Sequence, residues 1–96
     1  MEQLRRFDIA VHRDVAMVVV ESELLPLDPA VVVIPLLRNY PTVRHLNPTI
    51  QIGEEPFILA TRLIGAVRRS SLRRTGNVAE QSDKITRAID ILMAGV

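Results

Sequence analysis

From Phe7 the chain alternates, Phe7-Asp8-Ile9-Ala10-Val11, with the period of two that a half-buried strand requires. Val15 to Val20 is a β-branched run suited to a more fully buried strand, and His12-Arg13-Asp14 between them is short enough for a hairpin turn. Ala30 to Ile34 predicts a third strand, and Pro35, which cannot donate to a ladder, should mark its end or a bulge. Residues 37 to 47 carry Asn39, Pro41 and His45 and read as an irregular connection or a short helical turn. Thr49 to Ile52, the turn Gly53-Glu54-Glu55, and Pro56 to Thr61 spell strand, tight turn, strand, and Ile64 to Leu72 supplies one more strand. Five or more short strands with frequent turn signals argue for a small antiparallel barrel or sandwich.

At Gly76-Asn77 the period changes to 3.6. Asn77 is a fair N-cap, Glu80 stands in the capping-box position, and Glu80 and Asp83 lie where a helix dipole favours acids. The spacing predicts one helix, about Val78 to Met93, whose stripe is Val78, Ile85, Ala88, Ile89, Leu92 and, if the helix persists, Val96. Ile91 and Met93 flank that stripe. A helix laid on its own sheet needs one stripe, so apolar flanks near its end imply contact with something further, most cheaply a second copy across a two-fold axis.

Composition changes the picture in three ways. The length, 96 residues, suits one domain, 1–96, and with 48% hydrophobic but only 3% aromatic residues its core must be aliphatic. Cysteine is absent, which excludes a disulfide scaffold and thiolate metal sites and fits a reducing cytosol. The first residues lack the apolar run of a signal peptide, and no stretch approaches a membrane span, so the expectation is a cytoplasmic protein without membrane contact.

Charge is balanced overall but not along the chain. Residues 1–60 hold five basic and eight acidic side chains and residues 61–96 hold seven and three, so the halves differ in sign, −3 against +4. Arg68, Arg69, Arg73 and Arg74 crowd one segment with Ser70, Ser71 and Thr75. Such a run is either a solvated loop or a docking patch for an acidic peptide or a phosphate backbone. Base-stacking aromatics are missing nearby, which argues against specific single-strand recognition.

Three ordered segments, "VVIPL" (Val32 to Leu36), "LNPTIQIGEEPF" (Leu46 to Phe57) and "ITRAIDILMAGV" (Ile85 to Val96), resemble the CcdB family of plasmid-maintenance toxins. The similarity spans nearly the whole chain from Phe7, with shortening in the first hairpin turn and after Leu36. It implies a mainly β fold: a homodimer of small five-stranded antiparallel barrels of the Src-homology-3 type, with a minor sheet and one C-terminal α-helix, the fold also used by MazF-type toxins. It implies no cofactor and no metal, and a toxin that binds the A subunit of DNA gyrase, traps its DNA cleavage complex, and is neutralised by a cognate antitoxin. Nucleic acid would then be met only as operator DNA through the antitoxin.

Carried onto this sequence, the gyrase-facing residues are Ala94, Gly95, Val96, Asp90, Leu24 and Leu25, and the dimer interface is Leu92, Met93, Gly95 and Val96. Arg68, Arg69, Arg73 and Arg74 stand where the family's best-known members are acidic, and are expected to attract an acidic antitoxin tail. One departure lies at the working end: where the family carries Trp-Gly-aliphatic, this chain has Ala94-Gly95-Val96. A tryptophan hot spot is worth more than about 2 kcal/mol, roughly thirty-fold in affinity. A protein that dimerises and binds antitoxin with weakened or lost gyrase activity is therefore the alternative. The sister-branch alternative, a MazF-like ribonuclease, would need a base, an acid and a phosphate-holding cation in mutual reach. His12, His45, Arg13, Arg44 and Asp14 are the candidates, but no spacing forces them together. Glu54-Glu55 after Gly53 is turn chemistry. The expectation is therefore a binding protein, not an enzyme.

Overall fold

A computed structural model describes residues 3–95, so Val96 and every expectation placed on it lie outside the described residues. Seven strands form one antiparallel sheet: β1 (Asp8–His12), β2 (Val15–Val19), β3 (Ala30–Leu37), β4 (Thr49–Ile52), β5 (Glu55–Leu59), β6 (Gly65–Arg68) and β7 (Arg73–Asn77). Their order is β4-β5-β3-β2-β1-β7, with β6 also paired to β3. The fold is mainly β: a curled antiparallel half-barrel with one C-terminal helix, α1 (Ser82–Ala94).

The curl follows from where β6 and β7 attach. β6 pairs with the first half of β3 and β7 with β1, on opposite flanks of the β1-β2-β3 meander. The 3-10 turn Arg69–Ser71 carries the chain between them. Ile64 to Leu72 is thus not one strand. Its backbone is turned where the Arg69 N–H donates to the Pro29 carbonyl at 2.8 Å, beyond the last β3–β6 pair.

Alternation along β1 to β3 sends side chains to two cores. Ala10, Met17, Val19, Val31 and Val33 point into the curl with Leu4 and Leu72. Ile9, Val18, Val20, Ile34 and Leu36 point the other way, onto Ile50 and Leu59 of the β4-β5 hairpin and onto Val78, Ile85 and Ala88. Both faces of the central strands are therefore buried, which is why their sequences read as nearly unbroken valine and isoleucine.

Pro35 does not end β3, which continues to Leu37 and pairs Met17 with Pro35. Its missing N–H costs little because β3 changes partner there: Ala30 to Val33 pair with β6, while Leu36 and Leu37 pair with β5. The Pro35 carbonyl still accepts from the Ala60 N–H at 2.9 Å. Strand β1 starts at Asp8 because Phe7 adopts φ +70°, held by its N–H on the Val19 carbonyl and its carbonyl under the Val78 N–H. The first hairpin turn has Arg13 and Asp14 both at positive φ, as a two-residue type I′ loop demands.

The helix begins later than its sequence signals suggest. Asn77 closes β7, and its Oδ1 accepts from the Ala79 N–H at 2.7 Å, starting the 3-10 turn Ala79–Gln81. No side chain caps α1 itself, so the expected capping box with Glu80 does not form. Gln81, just before α1, instead pairs its side-chain amide with the backbone of Gln51, accepting at 2.9 Å and donating at 2.7 Å. This locks the start of the helix to the outer strand of the sheet. Ile85 and Ala88 are fully buried and Ile89 packs beside them, as the 3.6 period requires.

Candidate functional site

The end of α1 is an apolar surface. Ile91 and Leu92 are half-buried, Met93 is 77% exposed, and Ala94 and Gly95 are exposed, with the Asp90 carboxylate exposed beside them. Gly95 ends the helix at φ +73°, its N–H donating to the Ile91 carbonyl at 2.8 Å. This left-handed cap suits glycine because its backbone adopts positive φ at no conformational cost. No basic side chain occupies the last turn.

Leu24 and Leu25 are 94% and 56% exposed, but they belong to a different part of the protomer. Leu25 and Leu27 line a cavity of about 280 Å³ with Leu4, Val19 and Val31, at the mouth of the half-barrel core. The helix packs on the opposite face of the same strands. Within one protomer the two halves of the expected gyrase surface are therefore separated by the sheet. Leu27, 77% exposed, belongs with this patch and was not singled out by the sequence, although the run "LLPLDP" signals it: three leucines beside two prolines cannot all reach a core.

The arginine cluster is not uniform. Arg69 is buried; its Nε donates to the Asp28 carbonyl at 2.7 Å and its Nη2 meets Glu21 Oε2 at 3.3 Å. Arg74 Nε lies 3.1 Å from Asp8 Oδ2. Arg68 and Arg73 are exposed and make no ion pair among the described residues. The four thus differ: Arg69 is buried and braces the barrel, Arg74 reaches the buried Asp8 from the surface, and Arg68 and Arg73 face water on successive strands.

The histidines are held apart. His12 Nδ1 is 3.3 Å from the Ser71 carbonyl. His45 lies in the connection before β4, between Arg44 and Arg87. Arg13 and Asp14 are exposed at the β1-β2 turn that follows His12, and the side chains at the His45 ring are Arg44 and Arg87, not these. The base, acid and cation of a ribonuclease are therefore not assembled from these five residues. Among the described residues no group of three or more His, Asp or Glu side chains could hold a metal ion, and no helix is long and apolar enough to cross a membrane.

A family model described as CcdB protein matches residues 7–95, taking in every strand, the arginine cluster and all of α1. The chain belongs to the CcdB family. No curated protein matches it. Membership of the CcdB family points to the toxin half of a toxin–antitoxin pair, in a family that acts by binding.

Proposed function

We propose that this CcdB-family protein is a toxin that works as a homodimer by binding the A subunit of DNA gyrase and trapping its cleavage complex, with a cognate antitoxin as its neutralising partner. The observation that carries the reading is the uncovered apolar end of α1: Met93 stands exposed beside half-buried Leu92, on a helix whose buried stripe is already satisfied by the sheet. Two such ends brought together by dimerisation would bury Leu92 and Met93 and present Asp90, Ala94 and Gly95 side by side, with Val96 following. Leu24 and Leu25 can join this surface only from a site across the protomer.

Ala94 favours a second reading, a protein that dimerises and binds antitoxin while acting weakly on gyrase. An alanine offers little of the contact area of an aromatic hot spot. In either reading Arg68 and Arg73 are the members of the cluster open to an acidic antitoxin segment. The deciding experiment is a cleavage assay with purified protein, gyrase, supercoiled plasmid and ATP, scored for linear DNA after detergent and protease, with Ala94→Trp alongside. Linear DNA from the native protein establishes the first reading. Linear DNA from the tryptophan variant alone establishes the second, and none from either defeats the gyrase assignment.

A further inference from the structure

A cleft of about 270 Å³ opens between the connection before β4 and the first turns of α1, lined by His45, Pro48, Asp83, Lys84 and Arg87. Its charge is uncompensated. Arg44, Lys84 and Arg87 take part in no ion pair among the described residues, and Asp83, the acid in the cleft wall, is paired with none of them. With a neutral imidazole, three cations and one carboxylate leave the group at +2.

The imidazole itself is over-supplied with donors. Arg87 Nη1 lies 3.2 Å from His45 Nδ1, and Arg44 Nε lies 3.2 Å from His45 Nε2. A guanidinium nitrogen only donates, whereas a neutral imidazole has one acceptor and one N–H. One of these contacts therefore sets N–H against N–H, and a protonated ring would do so at both.

The backbone that carries the ring is nonetheless fixed. His45 sits at φ +64°, inside a turn closed by the Leu46 and Asn47 N–H groups on the Val43 carbonyl. The Asn47 side chain donates to the Pro41 carbonyl, and buried Thr61 donates to the Leu46 carbonyl. Lys84 spends one N–H on the Thr49 carbonyl at 3.1 Å and keeps the others.

We propose that this cleft is a binding site for a phosphate group, with Arg87, Lys84 and His45 as its ligands and Arg44 as the flanking cation. A tetrahedral dianion supplies what the cluster lacks: acceptors pointing in several directions and two negative charges. Arg87 can present a fork to two oxygens while Lys84 acts as a point charge. A planar carboxylate, with one charge and acceptors in one plane, satisfies fewer of these donors. Protonation of His45 adds a further donor, so binding of a tetrahedral anion whose charge is fixed tightens as pH falls through the imidazole range, against the opposing carboxylate of Asp83 on the cleft wall. Desolvation, followed by the charges of Arg87 and Arg44, already holds the His45 pKa below its ordinary value, and a bound dianion would raise it.

The test is an amide and imidazole NMR titration of the full chain at constant ionic strength, at about pH 6 and about pH 8, with sulfate, phosphate, adenosine 5′-monophosphate and acetate in turn. Sulfate keeps its charge throughout and isolates the contribution of His45. Saturable shifts at residues 44, 45, 84 and 87, a His45 pKa raised by sulfate, and binding weakened at least about tenfold in Lys84→Gln/Arg87→Gln are expected. Arg68→Gln/Arg73→Gln should bind as the native protein does. Equal saturation by the monophosphate and by inorganic phosphate assigns the site to the phosphate alone; tighter binding of the monophosphate assigns it to a phosphate ester. Linear shifts spread over all arginines, a His45 pKa that ignores sulfate, or acetate binding as well as phosphate would overturn the proposal.

Discussion

The side-chain amide of Asn77 donates to Asp8 Oδ1 at 2.9 Å, joining the last residue of β7 to the first of β1. Asp8 is almost fully buried, and its other oxygen accepts from the Arg5 N–H at 2.8 Å and meets Arg74 Nε at 3.1 Å. One carboxylate thus ties together the segment before β1, the start of β1 and both ends of β7.

Burial pushes the Asp8 carboxyl pKa upward, but the hydrogen bonds from Asn77, Arg5 and Arg74 and the Arg74 charge outweigh it and hold the group below its ordinary value. A depressed carboxylate pKa contributes stability above the unfolded-state value that is lost as pH falls through the folded one. Native protein should therefore weaken from about pH 5 downward, and Asp8→Asn should show a flatter acid limb. At neutral pH Asp8→Ala should cost about 1–3 kcal/mol, because it removes the hydrogen bonds and the ion pair that a buried carboxylate makes with three half-solvated donors. Urea unfolding at a series of pH values measures both; an unchanged acid limb in Asp8→Asn would show that other groups set it.

The arginine cluster makes opposite predictions for its members. Arg69→Ala removes a buried cation, leaving Glu21 and the Asp28 carbonyl without their partner, and should cost about 3 kcal/mol, roughly 12 °C or more in Tm for a chain of this size. Arg68→Ala and Arg73→Ala should stay within about 0.5 kcal/mol of native. Thermal melts of the three variants decide it. If Arg69→Ala melts with the other two, the buried pair does not brace the barrel, and all four arginines return to contention as a docking patch.

This contrast also shows what the sequence could and could not convey. Strands β1 to β5, the 3.6-period helix and its packed residues Ile85, Ala88 and Ile89 were legible because burial imposes period, and period is local, whereas β7, mostly exposed, carries no such signal. The partners of Arg69 were not: Glu21 and Asp28 lie more than forty residues away in sequence, and only the closing of the half-barrel brings them together. Pro35 misled for the same reason, since a missing N–H is tolerable only where a strand changes partners. The grouping of His45 with Lys84 and Arg87 depends on a connection that carries no period at all. Leu24 and Leu25 were visible as apolar residues, but not that the sheet separates them from the helix end.

Along α1 the buried and exposed apolar residues should separate cleanly. Ile85 is wholly enclosed by the outer core, so Ile85→Ala should cost about 2–5 kcal/mol by leaving a cavity. Met93→Ala should leave the protomer's own stability nearly unchanged, because the residue touches little of its own chain. Met93→Glu should instead shift sedimentation velocity profiles toward the monomer at micromolar concentration, if the helix ends meet in the dimer. A monodisperse dimer in Met93→Glu would place the interface elsewhere.

Gly95 sets how firmly that end is presented. Its φ of +73° and its N–H on the Ile91 carbonyl stop the helix just after Ala94. Adding a Cβ there meets no neighbouring atom, so the penalty of Gly95→Ala is conformational and not steric crowding, about 1 kcal/mol. The loss should be local: a Tm lowered by only a few degrees, with faster amide exchange confined to residues 91–95. Gly95→Asn, which tolerates the left-handed region, should restore most of the protection. In an Ala94→Trp background, where a gyrase signal is expected, Gly95→Ala should then reduce cleaved DNA by more than its small change in Tm accounts for, while Gly95→Asn should not. Equal protection of the last turn in all three proteins would mean that packing of Ile91 and Leu92, and not the glycine cap, fixes the working end.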